Sequence, residues 1–241
     1  MKDIQSQFDS RRINIKKVGV KTVSYPITVR DKAQKKQHTI AKANMYVNLP
    51  HKFKGTHMSR FVEILNEFHG EIDIKSFAAI LGKMKDRLDA EASHLELEFP
   101  YFLKKKNQSG AGRLGNYQCA MHGSLEKDDD LILSVDVPIS LPISESKTRR
   151  LPGSMGSWGK VEVSVRFNQF FWIEDIIVLI ENAIELELNK MLENAKATLS
   201  VETLAKTVGE HLEKVEAIKW FSLTVHNFGE ECSMFATMES R

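Results

Sequence analysis

Basic side chains and a hydroxyl crowd one short stretch, His51, Lys54, His57, Ser59 and Arg60. Pro50 stops one apolar pattern just before it and Phe61 begins another inside it, so the stretch joins a strand end to a helix start. Backbone N–H groups at a helix start, with basic side chains beside them, can receive a phosphate group. A solvated loop ahead of a helix explains the same residues, and on the residues alone it is the favoured reading. Cys119 and Cys232 are the only thiols. Each can ligate a metal, but free cysteines more often pack as small hydrophobes, and core packing is the expectation for both. The runs Lys104-Lys105-Lys106 and Lys32 to Lys36 read as solvated loops, and Lys147, Arg149 and Arg150 form a further basic cluster.

Overall charge limits what these cations do. Lys+Arg 34 against Asp+Glu 32 leaves a net charge of +2, too small for the sequence-independent phosphate attraction of generic nucleic-acid binders. No aromatic-basic interleaving of the single-strand type occurs either, so no nucleic-acid partner is expected. Two cysteines cannot build a disulfide framework. The polar, charged stretch from Met1 to Arg12 lacks the apolar segment of a signal peptide, and no apolar run is long enough to span a bilayer. The expectation is a cytoplasmic protein with no membrane partner.

The elements that must position these groups are legible in the hydrophobic period. With 42% hydrophobic residues in 241, the chain can bury a substantial core. Ile13, Ile15, Val18, Val20, Val23, Tyr25, Ile27 and Val29 recur mostly every second residue, with one slip that predicts a bulge. After a polar connection from Arg30 to Gln37, Ala41, Ala43, Met45, Val47 and Leu49 alternate, completing a hairpin. Two helical stripes follow, Phe61, Ile64, Leu65, Phe68 and then Ile74, Phe77, Ile80, Leu81, Met84, Leu88. Leu95, Leu97, Phe99 and Tyr117, Cys119, Met121 make a second hairpin around a loop from Lys104 to Gly115.

The pattern then restarts. Leu131 to Leu141 and Val161 to Phe167 alternate, Ile173 to Leu188 and Leu204 to Val215 give two helical stripes, and Ser200 is placed as an N-cap. Ile218, Trp220, Ser222 and Cys232, Met234, Ala236, Met238 mark the last strands around a turn from Asn227 to Glu231. The chain therefore reads as β-β-α-α-β-β twice, modules 13–126 and 127–241, joined at the acidic Glu126 to Asp130 stretch. The fold class is α+β, antiparallel sheets with helices on one face. The opposite face and the strand edges need further sheets, so a barrel closed by oligomerisation is expected.

The segment from His51 to Asn66, HKFKGTHMSRFVEILN, resembles the most recognisable segment of the type IB GTP cyclohydrolases. The resemblance extends through Val18 to Lys21, Tyr25 to Val29, Glu91 to Glu96, Phe99 to Phe102 and Val161 to Arg166. It implies a tunnelling fold of two fused modules per chain, with four chains completing the barrel. It also implies GTP, or a related purine or pterin, as ligand, and the folate and pterin route as setting. The family reaction joins GTP and water to give 7,8-dihydroneopterin triphosphate and formate. On this resemblance His57 and Arg60, with Ser59, Lys54 and Lys147, are candidates for facing phosphates. A purine edge needs a carboxylate accepting two N–H bonds, for which Glu193, Glu202 and Glu187 are candidates.

The family's chemistry uses a metal-bound water, because a bound divalent ion lowers the pKa of water from 15.7 to roughly 7. Here the sequence departs from the pattern. The family's Cys-Pro-Cys-Ser-Lys segment falls on Ile143 to Lys147, which puts Ile143 at the ligating cysteine, and the ligating histidine falls on Met155. The histidine-rich turn near the C-terminus corresponds to Gly229 to Met234, without histidine, and the connection between the last two helices is shortened. Two readings follow: a non-catalytic purine- or pterin-binding paralogue with no metal at that position, or a relocated zinc or manganese site drawing on Cys232, Cys119, His122 or Glu145.

Overall fold

The computed structural model describes residues 15–49, 58–68, 71–72, 74–106, 112–140, 157–193, 199–229 and 232–240. They fall into two compact units. One holds the described residues up to Tyr101 together with Cys119–Ile132; the other holds Phe102–Gln118 and the described residues from Leu133 onward.

In the first unit β1 (Ile15–Asp31) and β2 (Lys35–Leu49) pair antiparallel, Val29 opposite Gln37 and Tyr25 opposite Ala41. The expected Arg30 to Gln37 connection shrinks to three residues because Asp31, 7% exposed, closes the turn. Its carboxylate accepts the Ala33 N–H at 2.9 Å, which lets the strands pair almost to the tip. The slip in β1 appears as two register shifts, between Ile15 and Val18 and between Val20 and Val23, with Thr22 at φ 56°.

Helix α1 (Ser59–Glu67) buries Phe61, Ile64 and Leu65, and α2 (Ile74–Arg87) buries Phe77, Ile80, Leu81 and Met84. Between them lies β3 (Glu71–Ile72), which runs parallel to β1 opposite Thr28 and Val29. Two residues carry no readable period, which is why the sequence pattern misses this strand. β4 (Ser93–Lys106) pairs with β2, Met45 opposite Leu95, and contributes Leu95, Leu97 and Phe99 to the core. β5 (Gly112–Leu125) ends in this unit, and a Cβ built on Gly123 would lie 2.2 Å from the Phe77 ring. Only glycine lets α2 pack that closely on the strand.

The second unit orders β6 (Asp129–Pro138) from Leu133 onward, β7 (Ser157–Phe167), β8 (Ile218–Phe228) and β9 (Ser233–Glu239) as consecutive antiparallel neighbours. Val135 lies opposite Val163, and Val163 opposite Leu223, so one apolar row crosses three strands. Helices α3 (Ile173–Glu193) and α4 (Val201–Glu213) bury Ile176, Ile177, Ile180, Ile184 and Leu204, Val208, Leu212. Val215, placed by sequence on the last helical stripe, lies beyond the helix end. The N-cap is as expected: Ser200, at φ −118° and ψ 155°, accepts the Thr203 N–H through its hydroxyl.

Three sequence readings are corrected here. β8 buries Phe221, Leu223 and Val225, the set alternate to Ile218, Trp220 and Ser222. Trp220 stays on the polar side, where its indole N–H reaches Glu239 at 2.7 Å and the Arg166 guanidinium covers its ring. Lys104 to Lys106 form the end of β4 and no loop, since strand pairing outlasts the apolar residues. Asn227 and Phe228 likewise belong to β8, and the Gly229 N–H bonds the Cys232 carbonyl at 3.1 Å to turn the chain.

Candidate functional site

Helix α1 starts without a side-chain cap: Met58 occupies the N-cap with φ −62° and ψ −31°, and no acidic residue sits in the first turn. The Phe61 N–H bonds the Met58 carbonyl at 3.3 Å, and among the described residues no side-chain cap or first-turn acid offsets the partial positive charge of the helix start. Ser59 is exposed and Arg60 half-buried in this first turn. Arg60 makes no ion pair among the described residues, so its guanidinium and the helix start add to one electropositive position in the first unit. Lys54, His57 and His51 lie outside the described residues, as do Ile143, Glu145, Lys147 and Met155.

The three glutamates proposed for a purine edge separate clearly. Glu187, 6% exposed, accepts the Thr207 hydroxyl at 2.8 Å and the Lys190 ammonium at 2.7 Å. Both bonds fall on Oε1, so Glu187 ties α3 to α4 inside the second unit and is the most buried of the three. Glu193 is the exposed last residue of α3. Glu202 is exposed in the first turn of α4, where its own backbone N–H and then the Ser200 side chain hold its carboxyl below the usual carboxylate value. Glu202 thus stays ionised and open to solvent, which is what an acceptor for paired N–H groups requires.

The cysteines differ from each other. Cys119 is 3% exposed in the core of the first unit, but Cys232 is exposed at the β8–β9 turn, against the expectation of burial. Cys119 and His122 are three residues apart on β5, and an odd spacing along a strand puts side chains on opposite faces. The structure therefore does not bring them together. Among the described residues no three His, Cys, Asp or Glu side chains gather as a metal would need.

Sequence reasoning missed a polar cluster on the sheet of the first unit. Glu96 of β4 accepts the Tyr46 hydroxyl at 2.8 Å and the Asn44 amide at 2.9 Å, both from β2. Burial raises the Glu96 carboxyl, but these two bonds, the His122 ring and Lys17 outweigh it and the carboxyl lies below its ordinary value. The polar residues that alternate with the buried Ala43, Met45, Leu95 and Leu97 were the available signal. An equivalent cluster in the second unit joins Lys160 to Asp136 at 2.8 Å and to Glu162, with His226 3.4 Å from Glu162.

Residues 1–230 match the family model for type I GTP cyclohydrolase FolE2. The GTP cyclohydrolase FolE2 of Syntrophobacter fumaroxidans is 45% identical over 95% of this chain and 94% of its own length. The chain belongs to the type I GTP cyclohydrolase FolE2 family. The FolE2 of Syntrophus aciditrophicus agrees, 44% identical over 95% of this chain and 94% of that protein. Among solved structures, a hyperthermostable urate oxidase mutant from Bacillus sp. TB-90 superposes with a TM-score of 0.58 at 11% identity, covering 94% of this chain and 98% of that one. Urate oxidase from Bacillus subtilis 168 gives 0.55 at 8% identity, covering 93% and 98%. These likenesses show the fold alone: this FolE2-family chain has an α+β architecture similar to the tunnelling fold of urate oxidases. No helix among the described residues is long and apolar enough to cross a membrane.

Proposed function

We propose that the chain is a type IB member of its family and takes GTP as its ligand. The observation that carries this is the first turn of α1, uncapped, without acid and bearing Arg60, in a chain whose relatives are named GTP cyclohydrolases. The triphosphate is received by Arg60 and His57, assisted by Ser59, Lys54 and Lys147. The purine edge pairs with Glu202, whose ionised, solvent-facing carboxylate favours it over Glu193.

The residues at the family's metal position do not fit a metal. Isoleucine at 143 has no donor atom, and the thioether of Met155 is a poor ligand for zinc or manganese. No step is therefore routed through an ion there. The expected consequence is GTP binding with slow conversion to dihydroneopterin triphosphate. These two substitutions also favour the second reading, a purine- or pterin-binding paralogue that does no chemistry.

The proposed assembly is four cytoplasmic chains, each with modules 13–126 and 127–241, closing one barrel. What supports it is the repeated hairpin, helix pair and hairpin, and the edge position of β9. Calorimetry with GTP, elemental analysis of the purified protein and a pterin fluorescence assay test the reading together. Binding without bound metal and with slow turnover is the expected result; absence of GTP binding would overturn it, and rapid metal-dependent turnover would remove the claim about residues 143 and 155.

A further inference from the structure

The second unit contains a cavity of about 670 Å³ walled by the end of β4, the start of β5, the end of β6 and one face of α3. That volume suits a small organic molecule. Its polar wall is already partly used. The Glu181 carboxylate accepts the Tyr117 hydroxyl at 2.6 Å and holds the Lys105 ammonium, which lies 5.2 Å from the centre of the Tyr117 ring. Gly115 makes this possible, because a Cβ there would stand 2.6 Å from the Tyr117 ring and push it off Glu181.

The one cation among the cavity's described lining residues, Lys105, is therefore neutralised. One helical turn beyond Glu181, on the same face of α3, Glu185 also lines the cavity and has no ion pair or hydrogen bond among the described residues. Among the described lining residues the cavity carries one uncompensated negative charge. Its remaining walls are mixed: Ile184, Leu188 and the 58% exposed Leu114 offer an apolar surface, and Asn116 adds an amide. Among the described lining residues, a phosphate or nucleotide would meet Glu185 with no free cation to balance it.

We propose that this cavity is a second small-molecule site that takes an amino-substituted heteroaromatic ring without a phosphate. The ring lies against Leu114, Ile184 and Leu188, and its amidine-like edge gives two N–H bonds to Glu185. Carboxylates recognise such edges because both oxygens accept at once. This site stands apart from the proposed GTP contacts at Arg60 and Glu202, none of which lines the cavity.

The test titrates the full-length protein with 2-aminobenzimidazole, which presents that edge and is cationic near neutral pH, by calorimetry. Saturable binding should weaken roughly tenfold or more in Glu185→Gln, the loss expected for a charge-assisted pair, and vanish in Glu185→Lys. Arg60→Ala and saturating GTP should leave it unchanged, so failure of the GTP reading does not touch this one. Absence of saturable binding would overturn the proposal. So would binding that GTP displaces, or binding that survives Glu185→Gln, since either would place the ring elsewhere.

Discussion

Tyr46 and His94 face each other across the β2–β4 pairing with ring centroids 4.7 Å apart and planes 16° from parallel. Burial pushes the Tyr46 hydroxyl up, and the Glu96 carboxylate it bonds pushes it further, to about 12. For His94 burial favours the neutral ring and holds its pKa below 6.5; Lys17 adds to this while Glu126 and Glu96 oppose it. The stacked pair is thus kept neutral, a tyrosine that resists losing its proton beside a histidine that resists gaining one.

The pH dependence of stability follows with opposite signs at the two ends. Tyr46 binds its proton more tightly folded than unfolded, so its contribution is complete below pH 10.0 and is lost as pH rises toward about 12. His94 is depressed, so its contribution is complete above pH 6.5 and is lost as pH falls through its folded value. Denaturation midpoints of the parent and Tyr46→Phe should differ by about 1 kcal/mol near neutrality, the worth of one hydrogen bond. The gap should close between pH 10 and 12, and His94→Phe should lose the acid step that begins at 6.5. Parallel profiles for parent and variants would contradict the assignment.

These residues show where the sequence was informative and where it was not. The alternation from Leu133 to Ile139 and the stripe from Ile176 to Ile184 were readable because each arises from near neighbours on one buried face. Glu96 and Tyr46 lie 50 positions apart, and their bond depends on the register of β2 with β4, which no local period encodes. The Glu187–Thr207 bond has the same origin, because it joins two helices at residues 20 positions apart. Arg60 could be picked out because its setting, a helix start without acid, is local.

A buried amide in the second unit gives a stability prediction. Among the described residues Asn227, 1% exposed, has neither amide atom hydrogen-bonded, and the indole N–H of Trp158, its cross-strand neighbour, is also buried without a partner there. An unpaired amide in such a place costs about 1 to 3 kcal/mol. Asn227→Leu, which keeps the volume and removes the polar atoms, should therefore raise the thermal midpoint by about 2 to 4 °C or more at this chain length. A fall of similar size would mean that an ordered water satisfies the amide.

Arg60→Ala should weaken GTP binding by roughly tenfold to a hundredfold, the loss of a charge-assisted bond worth about 1.5 to 3 kcal/mol. Arg60→Lys should recover part of it, since a point charge replaces the planar fork. The side chain lies in the first turn and is only half-buried, so the fold should tolerate both changes. Calorimetry with GTP and with GMP separates a phosphate contact from a purine contact: a γ- or β-phosphate role makes the Arg60→Ala loss large for GTP and small for GMP. Equal affinities of parent and variant for GTP would refute the role.

The last expectation concerns chemistry and rests on Ile143 and Met155. In the proposed correspondence these two residues take the family's metal position, and neither is a good ligand for a divalent ion, so the parent should retain little zinc or manganese there and convert GTP slowly. Restoring a single ligand should change little, because metal affinity depends on the whole donor set and on the residues that orient it. The double change Ile143→Cys with Met155→His is the smallest rescue to attempt. It should raise bound zinc measured by elemental analysis before it raises turnover, since turnover needs the residues around the metal as well as the metal itself. Dialysis against a chelator should then remove both the metal and any gained pterin fluorescence, while GTP affinity stays within a few-fold of the parent. Robust metal-dependent turnover by the unaltered chain would refute the expectation, and Cys232, Cys119, His122 and Glu145 would become the ligands to substitute.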